Sequence, residues 1–315
     1  MDKTKRLVSF TIAIVMLIMS FSTAAFAVNR ESFDISDYKL EDVLYMDSYQ
    51  LNALLNNFER VYDPFDTYGT TKQLTQENQI SLYWTSGKLD LSEQGSHELI
   101  TAKACGLLLS DKGFWSPDHN GAIIIALTIS LASILPDREQ EASDILFAGH
   151  FYNPKTGKNY LGNELNTART NAKNYYNLME TEYQTNGLSE LAIEYTGRML
   201  HFIQDASEPH HAANITGINI AHSSFEKYAH DNIDCYIDDI TTISNSRYQS
   251  AMFSSPSQLV YETAIEAHTC SDMVKNYFNK SKWPDAAEIC LKNAVEYSAL
   301  LLYNLGYFSG IPLYK

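Results

Sequence analysis

The chain has 315 residues, with 23 Lys and Arg against 38 Asp and Glu and a formal net charge of −15. Such an acidic chain is not expected to bind nucleic acid in a basic groove or to dock on anionic lipid through a polybasic patch. A phosphate-bearing substrate would have to be held by bound metal instead.

Residues 1–27 read as an export signal. Lys3, Lys5 and Arg6 form a basic start, an apolar run follows to Phe21, and Ala25-Phe26-Ala27 supplies the small residues of a cleavage site. An uncleaved anchor is the alternative, but the apolar run is short and the small-residue site follows it directly. Removing the signal takes away three bases and one acid, leaving 288 residues at −17. That is enough for one large domain or one domain with an extension.

Residues 28–83 hold ten acids against four bases and the turn-rich stretch VYDPFDTYGTT. Apolar positions in KLEDVLYMDSYQLNALLNNFERVY suit an amphipathic helix. This segment reads as a propeptide, an interaction arm or a lid.

From Trp84 onward the pattern is helical at almost every informative place. HELITAKACGLLL, NELNTARTNAKNYYNLMETEYQ, ELAIEYTGRMLHFIQD, SSFEKYAHDNIDCYIDDI, QLVYETAIEAHTCSDMVKNYFN and AEICLKNAVEYSALLLYNLGYF all space apolar residues three to four apart. The apolar run GAIIIALTISLASIL, at 15 residues, is too short for a membrane span and predicts a buried core helix. The expected fold is therefore all-α, a single multi-helix domain over 84–315 with metal ligands on facing helices. Four cysteines (Cys105, Cys235, Cys270, Cys290) show no CxxC pair. They fit either one or two disulfides or buried free thiols.

The chemistry concentrates in HFIQDASEPHHAANITGINIAHSSFE, from His201 to Glu226. His201 and Asp205 are four apart, as are His222 and Glu226, so each pair shares one helix face and can reach one ion. Pro209 and Asn214–Gly217 break the helix between the pairs, placing His211 in the connection. Imidazoles and carboxylates without cysteine describe a hydrolytic zinc site better than a structural one. His97 near the start of the first helix, Asp137 after Pro136, and His150 before a turn at Pro154 and Gly157 carry suitable chemistry. Taken singly, each also fits a surface, capping or packing role.

In order, Trp84, His97, HFYNPKTGKNY from His150, HFIQD, HHAAN and HSSFE resemble the secreted zinc-dependent phospholipases C of Gram-positive bacteria. The resemblance runs from Trp84 to the C-terminus. It implies a phospholipase C/P1 nuclease-like fold with three zinc ions. Asp137, His150, His201 and Asp205 would hold one. His211, His222 and Glu226 would hold the second. His97, a bridging Asp205 and the backbone amine and carbonyl of Trp84 would hold the third.

A free α-amine at Trp84 requires cleavage after Tyr83, so the resemblance implies that 28–83 is a propeptide. It also implies that Asp137 acts as general base, that the substrate is a glycerophospholipid, and that the products are diacylglycerol and a phosphorylated headgroup. The protein would be secreted, and a monomer is expected. Phe147 matches an aromatic position that contacts choline headgroups in this family. Gly87 and Arg138 replace the family's carboxylate and tyrosine there, and Arg138 would favour an anionic headgroup or phosphate. Only SGIPLYK follows Phe308, so no membrane-binding β-sandwich is expected.

His119, His210, His230 and His268 match no ligand position and read as surface or packing residues, with contact to the groups behind the site as the alternative for His210. Two alternatives remain. One is an S1/P1-type zinc-dependent single-strand nuclease, and the other is a non-catalytic metal-binding surface protein masked by its acidic arm.

Overall fold

The computed structural model describes residues 43, 46–47, 49–55, 95–112, 119–138 and 145–309. Trp84, Gly87 and most of the 28–83 segment lie outside them. The described part of that segment is helical over 49–55, and Leu51, Leu54 and Leu55 are buried. Val43, Met46, Asp47 and Leu51 line a cavity of about 190 Å³ shared with Ala102, Cys105, Ile123 and Leu127.

The first long helices are α1 (Ser96–Lys112) and α2 (His119–Ala132), followed by the single turn α3 (Leu135–Arg138) and a 3-10 turn over Ile145–His150. Next come α4 (Ala168–Asn186), α5 (Glu190–Ala206), the short α6 (Pro209–Ala213), α7 (Ile220–Asp231) and α8 (Asp234–Ile237). The chain then forms α9 (Asn245–Phe253), α10 (Pro256–Val274) and α11 (Trp283–Ser309). An isolated bridge between Asn153 and Lys158 is the extent of β pairing among the described residues. The fold is all-α, as the periodicity predicts.

Sequence explains where these helices begin. Thr167 caps α4 and exchanges side-chain bonds with Thr170 in a capping box; Ser189 caps α5, and Ser255 caps α10 ahead of Pro256. Proline at the first helical position loses no needed N–H, because that donor has no partner within the helix. The same logic corrects the reading of Pro209. Rather than only breaking the chain, it starts α6, so His211 sits on a short helix capped by Glu208. Asn214 ends that helix in the left-handed conformation, φ 58°. The predicted single helix over 223–240 is two, because the chain turns at Asn232 between α7 and α8.

α5 is the axis of the molecule. It packs against α2, α4, α10 and α11, and its residues from Met199 to Ala206 are buried. The apolar run forms most of α2, whose Ile129, Leu131 and Ala132 are buried, as a core helix should be. Gly197 lets α2 and α5 meet closely: a Cβ there would lie 2.4 Å from Ala132 Cβ and 2.7 Å from the Ile129 carbonyl oxygen. α11 closes the opposite side against α1, α9 and α10.

No described helix is long and apolar enough to cross a membrane. The four cysteines are free thiols; three are buried, while Cys235 is exposed, which departs from a fully buried set.

Candidate metal centre

α5 presents His201 and Asp205 one turn apart on a single face, and the other groups are brought to that face by its neighbours. α1 supplies His97, α3 Asp137, the end of the 3-10 turn His150, α6 His211, and α7 His222 and Glu226. Gly149 lets the 3-10 turn come close to α4, where a Cβ would meet the Asn171 amide nitrogen at 2.6 Å. All eight side chains are buried or nearly so, with Asp137 only 3 % exposed.

Asp205 is the hub. Its Oδ2 lies 2.8 Å from His150 Nδ1 and 3.1 Å from His201 Nε2. Its Oδ1 lies 3.3 Å from His211 Nδ1 and 3.8 Å from His97 Nε2. Asp137 faces the same rings, with Oδ1 at 3.6 Å from His201 Nε2 and 3.7 Å from His150 Nδ1. Beyond His211, a second group forms where Glu226 Oε1 lies 3.4 Å from His211 Nε2 and 2.9 Å from His222 Nε2.

Outer contacts set the ring orientations. Gln204 Nε2 donates to Thr101 Oγ1 at 2.8 Å, which fixes its amide so that Oε1 faces His97 Nδ1 at 2.7 Å. An amide oxygen only accepts, so Nδ1 carries the proton and Nε2 turns its lone pair inward. The Ser133 carbonyl does the same for His201, accepting from Nδ1 at 2.8 Å. Phe151 stacks on His211 with ring centroids 4.5 Å apart.

Burial and charge then divide the groups. Burial pushes His97 down to about 3, so it is neutral, the form that ligates metal. Burial also works to lower His201, but Asp205 and Asp137 outweigh it and lift the ring to about 9. Burial raises the Asp137 carboxyl above the ordinary carboxylate range. Burial opposes ionisation of Asp205 too, yet His201, His150 and His211 hold it well below that range.

His97 Nε2, Asp137 Oδ2, His150 Nε2 and His222 Nδ1 are buried without a hydrogen-bond partner. Buried polar atoms are normally satisfied. Of these four, His97 Nε2 and Asp137 Oδ2 face each other at 4.0 Å and fit a divalent cation, while His150 Nε2 and His222 Nδ1 are the ring nitrogens turned away from the carboxylates. Three groupings have ligand atoms within 4.8 Å of one another: His97 with Asp137 and His201; His150 with His201 and Asp205; and Glu208 with His211, His222 and Glu226.

The eight predicted side chains thus lie in one continuous cluster, although His97 groups with Asp137 and His201 as closely as with Asp205. Trp84 lies outside the described residues, as does the side chain of Arg138, which ends α3. Phe147 is half-buried at the edge of the cluster, its ring 5.4 Å from that of His150. It adopts a φ of 59°, a conformation strained for a bulky residue.

Sequence reasoning missed Gln204 and Glu208 and set His210 aside as a packing residue. Gln204 lies three residues after His201 and one before Asp205 on the same buried helix, and this position was the available signal. Glu208 and His210 flank Pro209, whose residue type alone reads as a break in the chain. His230 is half-buried with Nδ1 3.1 Å from Ser96 Oγ, and His268 is half-buried on α10.

No family model matches the chain. It is 26 % identical over 244 residues to a phospholipase C of Clostridium perfringens, covering 70 % of this chain and 60 % of the relative. It is 28 % identical over 143 residues to a phospholipase C of Bacillus cereus, covering 43 % of this chain and 48 % of the relative. A Clostridium novyi phospholipase C aligns over 257 residues at 26 % identity, covering 71 % and 61 %. The chain therefore spans less than two-thirds of the length of these relatives. By fold it matches an alpha-toxin of Clostridium absonum with a TM-score of 0.60 at 24 % identity, covering 69 % of this chain and 65 % of that one. A Clostridium perfringens alpha-toxin matches at 0.57 and 23 %, covering 68 % and 64 %. By sequence the chain is similar to bacterial phospholipases C, and its all-α fold is like that of clostridial alpha-toxins.

Proposed function

We propose that this protein is a secreted zinc metallo-phosphodiesterase that hydrolyses glycerophospholipids to diacylglycerol and a phosphorylated headgroup. The observation that carries this reading is the set of buried imidazoles and carboxylates around Asp205, in a chain that resembles phospholipases C. His97, Asp137, His150, His201, Asp205, His211, His222 and Glu226 would hold three zinc ions, with the backbone of Trp84 completing one of them. Bound zinc supplies a Lewis acid for the phosphodiester and lowers the pKa of a ligated water from about 15.7 to about 7.

The residues themselves do the rest. Gln204 and the Ser133 carbonyl hold His97 and His201 in one orientation, so little reorganisation is needed during reaction. Asp137 turns Oδ1 to His201 and His150 and has no hydrogen-bond partner at Oδ2, so with its raised pKa one oxygen can face an ion while the carboxylate takes a proton from the attacking water. Phe147 offers an aromatic edge beside His150 for the headgroup, and Arg138 follows Asp137 directly as a cation for phosphate or an anionic headgroup. The burial of the cluster excludes bulk water and strengthens each electrostatic contact.

The test is hydrolysis of vesicles containing phosphatidylcholine, phosphatidylethanolamine and phosphatidylinositol by zinc-loaded protein that begins at Trp84. Diacylglycerol and phosphorylated headgroup should appear, and a chelator should stop the reaction. Cleavage of single-stranded DNA with no release from lipid would instead select the nuclease. The same reading makes 28–83 a propeptide, so N-terminal sequencing of secreted protein should begin at Trp84. A mature chain starting at Val28 would contradict it.

A further inference from the structure

We propose that Glu208 is a fourth protein ligand to the metal held by His211, His222 and Glu226, closing that position with side chains rather than water. This rests on the metal reading above and adds a residue to it. One atom each from Glu208, His211, His222 and Glu226 lie within 4.8 Å of one another. Four ligands about 2.0–2.1 Å from a tetrahedral zinc stand roughly 3.3 Å apart. The distances here bracket that value: 2.9 Å from His222 Nε2 to Glu226 Oε1, 3.4 Å from His211 Nε2 to the same oxygen, and 4.0 Å from His222 Nε2 to Glu208 Oε2.

Glu208 has a simpler role as well. Its Oε2 accepts from the His211 N–H at 2.6 Å, capping α6, and its Oε1 lies 2.8 Å from His210 Nδ1. The cap does not call for a carboxylate, and the His210 ion pair engages only Oε1. Serine, threonine, asparagine or aspartate caps a helix at least as well. Glu208 is 0 % exposed, and burying a charge is costly unless it is fully compensated. His210 offsets part of that cost at Oε1; a divalent cation beside Oε2 would offset the rest.

His210 supports the arrangement from behind. Its ring stacks on that of His222 with centroids 4.9 Å apart and an interplanar angle of 13°, while its Nδ1 anchors Glu208. The Glu208–His210 pair therefore fixes both a ligand oxygen and a ligand ring. Four protein ligands describe a closed site, whereas a catalytic zinc keeps an open position. The Glu208 ion would hold α6 and α7 together, leaving reaction with water to the ions around Asp137 and Asp205.

The experiment measures zinc content of the secreted protein, dialysed against a series of zinc buffers, by elemental analysis. Glu208→Ser keeps a helix cap and removes the carboxylate. Wild type should bind three ions, and Glu208→Ser should bind one of them at least tenfold more weakly while holding the other two. Glu226→Ala should weaken the same ion. Circular dichroism checks folding, and Glu208→Gln, which preserves shape, replaces the serine variant if that one does not fold. A cap-retaining or isosteric variant with wild-type zinc binding at every concentration overturns the proposal. Wild-type protein that takes up no zinc overturns the metal reading itself, a different result from three ions bound equally by wild type and variant.

Discussion

Asp205→Asn is expected to lower kcat/KM on phospholipid vesicles by about 10³-fold and to leave the purified protein short of zinc. The carboxylate has imidazoles on both oxygens: His150 at 2.8 Å, His201 at 3.1 Å, His211 at 3.3 Å and His97 at 3.8 Å. Asparagine fits the same space but carries no charge and replaces one acceptor oxygen with an NH₂ donor, pointed at rings proposed to ligate metal. Removing one partner of a buried charge cluster costs about 3–5 kcal/mol. That is a cost in stability; the loss of activity follows from the metal reading, because groups that merely support a ligand already change metal affinity or activity by about 10–100-fold and Asp205 is proposed as a ligand itself. Activity within tenfold of wild type together with full zinc content would show that Asp205 is not the hub of the centre.

Gly197→Ala is expected to destabilise the fold by more than 3 kcal/mol, although it touches no ligand. The added Cβ would stand 2.4 Å from Ala132 Cβ, 2.7 Å from Ala132 C and 2.7 Å from the Ile129 carbonyl oxygen. Overpacking a core costs about 1–3 kcal/mol where side chains can adjust, and two of these three atoms belong to backbone. For a protein of this size the loss should lower Tm by about 6–12 °C. The site should suffer with it. Ser133, whose carbonyl orients His201, follows α2 directly, and Asp137 lies four residues further on. Ala132→Gly should rescue the variant only partly, because the backbone contacts remain. A Gly197→Ala protein that melts like wild type would mean that α2 and α5 separate easily.

Much of the architecture was legible in the sequence because it rests on local periodicity. α1, α2, α5, α10 and α11 each bury the apolar positions that stand three to four apart. The pairs His201–Asp205 and His222–Glu226 were visible for the same reason, since helical geometry alone puts residues four apart on one face. Other features depend on tertiary placement. α9 has few apolar residues and is held by packing on α11, which periodicity does not register. Pro209 reads as a helix breaker until its place at the first position of α6 is known. Glu208 resembles any polar loop residue, and only its full burial beside His210 and His222 distinguishes it. The tolerance for a glycine at 197 belongs to α2, about 65 residues earlier in the chain.

The bond between His97 and Gln204 joins residues 107 positions apart, and that span governs timing as well as geometry. Contacts this distant in sequence form late, after loop-closure entropy has been overcome. A chain made only as far as α4 has no α5 for α1 to dock against. The grouping that uses His97 therefore waits on this docking, whereas Glu208, His211, His222 and Glu226 lie close together in the sequence. After that, the buried ligands leave little route for exchange. In the metal reading proposed above, the divalent ions present where the last helices dock would decide which metal the finished molecule keeps.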